Sequence, residues 1–372
     1  MGGRSRASGG IRTLSDLEIT QVCHRYHPEI GGVEQHVQKI SEHLAEKGCR
    51  VEVLTTDPSG KLPRVEEING VTVRRFNSYA PQDSIFRSKS LREYLRENTF
   101  EILHAHNYHA LPALYAAESR SRIFIFTPHY HGRSQSWIRN LMLYPYRIKG
   151  RRIFNRADRI ICVSNHEKKM VKEDFRVPEE KFAVILNGID LSEFEKNLVE
   201  KDPKMLLFVG RLEEYKGVQH IIHALTNLPA HHLTIIGRGV YEGKLMKLAE
   251  RLGVRERITW QQSVAREDLI KAYQRAGVFL MPSRLEAYGI TTAEALAAGT
   301  PCVVLRGSAL EEFIDNETCI GIDPDKDIVR ELTDTVQQLS GMHAKRPENV
   351  IDWSRVAEET MKLYMDVYNR AI

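Results

Sequence analysis

The sequence predicts two α/β domains, each a doubly wound parallel sheet with helices on both faces, which face each other across a cleft. Short β-rich apolar runs alternate with longer amphipathic stretches along the whole chain, as in parallel strands joined by helices. The length of 372 residues corresponds to about two domains at roughly 150 residues each. The charged stretch Ser192–Lys204, which contains Pro203, separates two such series.

The individual elements follow from hydrophobic periodicity. The strand candidates are Glu18–Cys23, Arg50–Thr55, Thr72–Phe76, Ile102–His104, Ile123–Thr127, Ile160–Val163, Ala183–Leu186, Met205–Val209, Leu233–Ile236, Ile258–Trp260, Val278–Met281 and Cys302–Leu305. The helix candidates are Glu34–Lys47, Ser164–Glu173, Val218–Leu225, Glu242–Leu252, Arg266–Arg275 and Thr292–Ala298. Because such sheets bind ligands at the carboxyl ends of their strands, residues just after a strand are the first candidates for a site.

Composition excludes several classes of protein. With 42% hydrophobic and 27% charged residues, the chain is an ordinary globular protein, not a disordered, collagenous or disulfide-scaffold one. Apolar runs such as Ile123–Phe126 fall far short of the ~20 residues that a spanning helix needs. Met1–Asp16 lacks an apolar core and is interpreted as a frayed leader. The five scattered cysteines form no CxxC motif, which predicts reduced, buried, cytosolic thiols.

The net charge of +4 is distributed unevenly between the two halves. Residues 1–196 carry 31 Lys and Arg against 24 Asp and Glu, a balance of +7. Residues 197–372 carry 22 against 25, a balance of −3. We therefore expect the first half to face anionic material.

One motif follows the first strand of each half. Gly31 and Gly32 stand between a strand and a helix, where glycine lets the backbone approach a phosphate at the positive helix end. An ordinary strand–helix turn is the alternative. In the second half, Arg211 and Lys216 suit a diphosphate, with arginine as a planar fork and lysine as a point charge. The alternative is a solvated basic turn.

A third motif follows the strand Val278–Met281. Gly289 permits close backbone approach, and a helix beginning near Ile290 offers free N–H groups to an anion. Thr291 and Glu294 also fit a capping box, which is the structural alternative for Glu294. Glu286 lies in a loop beside apolar strand ends, and carboxylates so spaced suit the paired hydroxyls of a ribose or hexose.

Histidines cluster after two first-half strands, at His104, His106 and His109 and again at His129 and His131. No cysteine or carboxylate lies at ligand spacing, so we predict no metal site there. Alternate histidines at a strand end share one face, and both clusters fall where a cleft would be lined. For each of these histidines except His129, we favour a structural role in the core or a loop over a functional one. The Asp323/Asp325 pair resembles a metal-binding motif but is interpreted as a solvated loop.

Taken together, these motifs resemble the family 4 retaining nucleotide-sugar glycosyltransferases, which have the GT-B fold. The resemblance runs almost from end to end, and its specificity comes from the joint order and spacing of the pieces. The segments that carry it are Gly31–Glu34, Glu101–His106, Ala157–Ser164, Asn187–Asp190, Phe208–Leu212, Lys216–Gly217, Ile236–Gly239, the pair Glu286 and Glu294, Glu294–Pro301 and Trp353.

The resemblance implies a role for each matching site residue. Arg211 and Lys216 would hold the donor diphosphate, together with backbone amides at Gly32 and just after Gly289, at Ile290 and Thr291. Glu294 would hold the ribose hydroxyls, and Glu286 would contact the transferred sugar. His129 matches the histidine near the donor sugar, and His131 is the second choice. The catalytic set is thus His129, Glu286, Arg211 and Lys216, with no metal and no cofactor beyond the nucleoside-diphosphate sugar.

The resemblance also implies an organisation and an activity. The domains are predicted at 1–196 on the acceptor side and 197–355 on the nucleotide-sugar side, with a C-terminal helix at 356–372 returning to the first domain. The activity would be retaining, metal-independent hexosyl transfer from a UDP- or GDP-type sugar to a glycan or lipid-linked acceptor, in cell-envelope or glycoconjugate synthesis. Two alternatives stay open: an epimerase or phosphorylase of the same fold, and a non-catalytic nucleotide-sugar binder.

The most basic segment suggests where the protein acts. Between Arg120 and Arg156 the sequence has nine Lys and Arg and no Asp or Glu. Aromatic and apolar side chains from Trp137 to Tyr146 are interleaved with cations, as in segments that bind anionic lipid. We expect a cytoplasmic protein, peripheral on the inner membrane face. A buried helix at Ile138–Tyr146 and a basic acceptor groove are the alternatives. Nucleic acid is not expected, because no recognition motif accompanies the charge.

Overall fold

The computed structural model describes residues 17–29, 31–81, 85–132, 144–196 and 199–370. The predicted leader Met1–Asp16 and residues 133–143 of the basic segment, with Trp137, lie outside these ranges. Within them the chain forms one eight-stranded sheet, one six-stranded sheet and a two-stranded ribbon. The predicted pair of doubly wound α/β domains is therefore confirmed.

The first sheet has the order β3-β4-β2-β1-β5-β6-β7-β8 and is parallel except for β3, which runs antiparallel to β4. Its strands and the helices between them are β1 (Glu18–Val22), α1 (Gly32–Glu46), β2 (Arg50–Asp57), β3 (Val65–Ile68), β4 (Val71–Asn77), α2 (Lys89–Glu97), β5 (Thr99–His106), α3 (Leu111–Ala117), β6 (Arg120–Thr127), α4 (Tyr144–Arg156), β7 (Arg159–Cys162), α5 (Asn165–Phe175) and β8 (Phe182–Val184).

The second sheet is parallel, with the order β12-β11-β10-β13-β14-β15. Its elements are β10 (Asp202–Val209), α7 (Val218–Thr226), β11 (His232–Ile236), α8 (Glu242–Arg251), β12 (Ile258–Gln261), α9 (Arg266–Arg275), β13 (Ala276–Met281), α10 (Ile290–Ala297), β14 (Cys302–Leu305), β15 (Cys319–Ile322) and α11 (Ile328–Leu339). The remaining elements are β9 (Gly188–Ile189), α6 (Leu191–Phe194), β16 (Ile351–Asp352) and α12 (Trp353–Arg370).

Both sheets reverse their winding beside their first strand. β1 lies between β2 and β5, and β10 lies between β11 and β13. At such a switch point the connecting loops diverge to opposite faces and leave a crevice at the carboxyl ends of the strands. The crevices of the two sheets therefore fall after β1 and β5 in the first sheet and after β10 and β13 in the second.

The C-terminal helix α12 packs on the first sheet, as predicted. Trp353, the first residue of α12, is fully buried. The apolar face of α12 joins the core that α1 forms with β1 and β2. Tyr364 Oη lies 2.6 Å from His104 Nδ1, and Tyr368 donates to Glu101 over 3.0 Å. Because β16 at the start of this helix pairs with β9, the two chain crossings between the sheets are joined by backbone hydrogen bonds.

The connection between the sheets runs from the end of β8 to the start of β10 and includes residues 192–201 of the predicted break, because β10 begins at Asp202 and not at Met205 as predicted. The domain boundary predicted at 196/197 adjoins residues 197–198, which lie outside the described ranges, and it stays a prediction. All five cysteines fall within the described ranges, where they are buried, as predicted, and form no disulfide. None of the described helices is long and apolar enough to cross a membrane.

Candidate functional site

The loop after β10 carries the two cations that the sequence singles out. Arg211 is exposed, and its Nη2 lies 3.2 Å from Tyr215 Oη. Lys216 ends a single 3-10 turn and is followed by Gly217 with φ 77°. A Cβ at Gly217 would collide with the carbonyl oxygen of Pro282, so only glycine fits this close approach. The turn therefore presses Lys216 against the loop that follows β13.

That contact pairs Lys216 with Glu286. The ammonium nitrogen of Lys216 lies 2.5 Å from Glu286 Oε1, and the two side chains are 12% and 15% exposed. Both residues were predicted for the site from separate motifs, and the structure brings them into direct contact. A bound diphosphate would compete with the Glu286 carboxylate for this ammonium group, so the pair supplies a cation that is held in place before an anion arrives.

Helix α10 presents its N-terminus at the same crevice. Its N-cap is Gly289 with φ 103°, and the described residues supply no side-chain cap. The first-turn amides of Ile290 and Thr291 therefore point outward with the positive end of the helix dipole. A Cβ built on Gly32, at the start of α1, would lie 3.7 Å from Ile290 Cδ1. The structure thus places the N-termini of two helices, one from each domain, against each other.

Glu294 occupies a different environment from the one that the motif suggests. It is 3% exposed, and its two carboxylate oxygens lie 2.5 Å from Arg266 Nη1 and 2.9 Å from Tyr273 Oη. Burial raises its pKa, and the Arg266 guanidinium opposes that rise. The capping-box alternative is wrong, because α10 begins at Ile290 and Glu294 bonds to α9. The ribose role stays a prediction, and it requires Arg266 to share this carboxylate.

A buried carboxylate, that of Glu167, holds the loop after β6 in place through hydrogen bonds to the backbone. Glu167 accepts hydrogen bonds from the backbone N–H groups of Tyr130 at 2.5 Å and Val163 at 2.6 Å. Burial raises the pKa of Glu167 to about 8, and these two donors limit the rise. His129 adopts φ 47°, a left-handed backbone conformation that is uncommon outside glycine. The loop geometry that presents the histidines is therefore imposed by its surroundings.

The two predicted histidines of this loop face different partners. The ring of His129 lies 4.8 Å from that of His36 and 5.8 Å from that of His106. Burial lowers the pKa of His131, and its charge interactions are with Glu286, which raises it, and with Lys216 and Arg211, which lower it. His131, the second choice from sequence, is therefore close enough to Glu286, Lys216 and Arg211 for their charges to shift its pKa.

Sequence reasoning missed several residues that build the site. Ser164 caps α5 by accepting from Glu167 N at 3.0 Å, and its hydroxyl donates to the Ala287 carbonyl of the other domain at 2.7 Å. The spacing of Ser164 and Glu167 is that of a capping box, so this signal was available. His36 and Arg266 carried no such signal, because their partners are distant in sequence. The Asp323/Asp325 loop is solvated, as predicted, with Asp325 exposed.

Comparison with known proteins matches each half of the chain to a family model. The family model Glycosyltransferase Family 4 matches residues 30–193, and the model Glycosyl transferases group 1 matches residues 190–349. An uncharacterised glycosyltransferase of Methanocaldococcus jannaschii is 29% identical over 387 residues, which cover 94% of this chain and 98% of that protein.

Solved structures show the same fold. Sucrose-phosphate synthase from Thermosynechococcus elongatus matches with a TM-score of 0.79 and 19% identity over 95% of this chain and 100% of that chain. Anabaena HepE, solved in complex with UDP, matches with a TM-score of 0.67 and 14% identity over 95% of this chain and 98% of that chain. The chain therefore belongs to the family 4 glycosyltransferases, and its two facing sheets form a GT-B fold.

Proposed function

We propose that this glycosyltransferase moves a hexosyl group from a nucleoside-diphosphate sugar to a glycan or lipid-linked acceptor, with retention of configuration and without a metal ion. The observation that supports it most is the group formed by Arg211, Lys216 and Glu286 at the second crevice, whose charges also shift the pKa of His131 in the first domain. The UDP in the HepE structure makes a uridine nucleotide the first donor to test.

The leaving group of this reaction is a nucleoside diphosphate. Departure of a diphosphate requires stabilisation of negative charge, and fixed cations at a helix N-terminus provide it in a preorganised form. Arg211 and Lys216 supply the cations, and the amides at the start of α10 supply the dipole. Glu286, 2.5 Å from Lys216, would then bind sugar hydroxyls next to the diphosphate.

The first domain would approach the sugar from the other side. Burial lowers the pKa of His129 well below its usual value, so its ring is neutral at physiological pH. A neutral imidazole can accept a hydrogen bond from a sugar hydroxyl and does not repel the positive charge that develops at the anomeric carbon. Departure of the diphosphate and attack by the acceptor on the same face of the sugar would give retention.

The test is a donor screen followed by product analysis. UDP-, GDP- and ADP-sugars are compared by thermal shift in excess EDTA, and products of the stabilising donor are identified by mass spectrometry and by NMR at the anomeric carbon. We expect sugar transfer that survives EDTA and a product anomer that matches the donor. An inverted anomer, or loss of activity on chelation, would contradict the mechanism. An epimerised or phosphorolysed donor would favour the alternative enzyme class, and tight donor binding without turnover would favour a binder.

We also propose that the basic segment 120–156 brings the protein to the cytoplasmic face of an anionic membrane. Its described part supports this in α4, where Ile148 is 59% exposed beside exposed Lys149, Arg151 and Arg152. Buried Ile153 and Phe154 anchor the same helix to the core. An exposed apolar side chain among cations is suited to the boundary between lipid headgroups and acyl chains.

A further inference from the structure

Three histidines from separate elements converge at the carboxyl edge of the first sheet. His36 lies in α1, His106 ends β5 and His129 follows β6. One ring nitrogen of each lies within 4.8 Å of the corresponding nitrogens of the other two. His36 is 1% exposed and His106 is fully buried. The chain thus places three imidazoles together, two of them out of contact with solvent.

The outer nitrogens of the two buried rings are fixed by amide oxygens. His36 Nδ1 lies 2.6 Å from Asn187 Oδ1, and His106 Nε2 lies 2.7 Å from Gln21 Oε1. Because an amide oxygen only accepts, both of these nitrogens carry the proton and donate. The tautomer of each ring is therefore set, and the opposite nitrogen of each ring bears a lone pair.

Those opposite nitrogens are the unsatisfied ones. Among the described residues, no hydrogen-bond partner is found for His36 Nε2, His106 Nδ1 or His129 Nε2, all buried atoms. Buried polar atoms are normally paired with protein, water or an ion, so an unpaired set of three indicates a ligand. Neighbouring His104 differs in this respect, because both its nitrogens are satisfied, by Tyr364 and Thr127.

A metal ion binds the unprotonated nitrogen of an imidazole. In His36 and His106 that is the nitrogen for which no hydrogen-bond partner is found among the described residues. The other nitrogen of each ring donates to Asn187 or Gln21, as the non-ligating nitrogen of a metal-bound histidine usually does to a nearby oxygen.

We propose that His36, His106 and His129 form a binding site for a divalent transition-metal ion of the zinc class. A set of three imidazoles without carboxylates suits Zn²⁺, Ni²⁺ or Cu²⁺ and not Mg²⁺ or Ca²⁺, which prefer oxygen ligands. Sequence spacing alone predicts no metal here, because His36 lies 70 residues before His106 in the printed chain and only the fold brings them together.

If the proposed function holds, a metal ion at this site would affect the transfer reaction. His129 would contribute the same ring to the metal and to the donor sugar. An ion that takes its lone pair removes it from the sugar, so binding of Zn²⁺ inhibits transfer and chelation restores it. The ion would be an inhibitor and not a cofactor, which is compatible with transfer in EDTA.

The test uses the full-length protein, stripped with EDTA and dialysed, and Zn²⁺ alone as the probe. Competition with a chromophoric chelator should show one site per chain with a micromolar or tighter Kd. His129→Ala and His106→Gln should each weaken binding at least tenfold, and Asn187→Ala about 10- to 100-fold through loss of orientation. His131→Gln, on the same loop but outside the cluster, is the matched control and should bind as the wild type does.

Substitution with Co²⁺ gives a readout that a purely structural role would not produce. The visible absorption of cobalt bound by imidazoles should appear in the wild type and in His131→Gln and disappear in His129→Ala, with circular dichroism confirming that each variant is folded. Absence of binding at a hundred micromolar Zn²⁺, or equal loss in His129→Ala and His131→Gln, would overturn the site. Zinc binding without inhibition would leave the site intact and reject the role of His129 in transfer.

Discussion

The two sides of the cleft differ in charge. The first-domain wall, His129 with His36 and His106 buried behind it, is made of imidazoles that burial keeps neutral. The second-domain wall, Arg211, Lys216 and Glu286, is charged, with an ion pair of 2.5 Å at its centre. The difference suggests a division of labour in which the charged wall binds the diphosphate and the neutral wall approaches the sugar. Apart from the membrane test, each prediction below alters one side of the cleft and leaves the other unchanged.

The largest effect should come from the cations of the second-domain wall. Lys216→Ala and Arg211→Ala each remove a group that stabilises the departing diphosphate. The loss in kcat/KM should be about 2–4 kcal/mol, or roughly 30- to 1000-fold. Steady-state kinetics with the donor found in the screen measure it, and Lys204→Ala, an exposed lysine on β10, is the control. A loss below about threefold in both variants would remove them from the diphosphate site.

A second prediction separates the two carboxylates. Glu286→Gln should lower kcat by about 100-fold, because its partner is the sugar. It should leave nucleoside diphosphate binding equal or tighter, because Lys216 loses its competing partner. Glu294→Ala should weaken the nucleoside diphosphate itself, through the ribose. Calorimetry on both variants, with the exposed Glu317→Gln as control, decides the matter, and identical behaviour of the two would reject the division.

The neutral wall predicts a dependence of stability on pH. The pKa of His36 is about 4 in the folded protein and 6.5 in the unfolded chain. Below about pH 6.5 the unfolded chain therefore binds a proton that the folded protein does not, and the free energy of unfolding falls. Between pH 7 and pH 5 this histidine should cost about 2 kcal/mol of unfolding free energy. In urea unfolding measured in EDTA at both pH values, His36→Gln should lose about 2 kcal/mol less unfolding free energy between pH 7 and pH 5 than the wild type does. An unchanged loss would mean that His36 is charged in the folded protein.

The smallest effect per substituted residue concerns the membrane. Replacing exposed Lys149, Arg151 and Arg152 by glutamate should release the protein from anionic vesicles, at about 1 kcal/mol per cation. The matched control replaces exposed Lys244, Lys247 and Arg251 of α8. Flotation at low and high salt measures both. Equal binding of the wild type to neutral and anionic vesicles, or none to anionic vesicles at low salt, would assign the segment to an acceptor groove or to the core.

The sequence predicted the fold where local pattern was strong. Helix α9 and strand β14 were predicted with their observed bounds, Arg266–Arg275 and Cys302–Leu305. Strand β3, Val65–Ile68, was missed because two of its four residues are glutamate and it lies at a half-exposed sheet edge. Helix α2, Lys89–Glu97, was missed because only Leu91 and Leu95 of its residues are buried. Short elements with few apolar residues give little periodicity to detect.

The candidate site divides in the same way. Arg211 and Lys216 belong to one short motif, so their proximity could be predicted from the sequence. The pairing of Lys216 with Glu286 spans 70 residues and depends on β13 lying beside β10. The convergence of His36 on His106 and His129 depends on β1 lying beside β5. Contacts of this kind are set by strand order, which periodicity does not encode.

The most direct test of the proposed roles of the two walls is the Kd for the nucleoside diphosphate, the one contained in the donor that the wild type uses. This Kd is measured by calorimetry in EDTA. We predict that Lys216→Ala weakens this binding at least tenfold. We predict that His129→Ala leaves it within about twofold of the wild type, although sugar transfer by that variant falls at least tenfold. Equal weakening in both variants, or none in Lys216→Ala, would contradict the account.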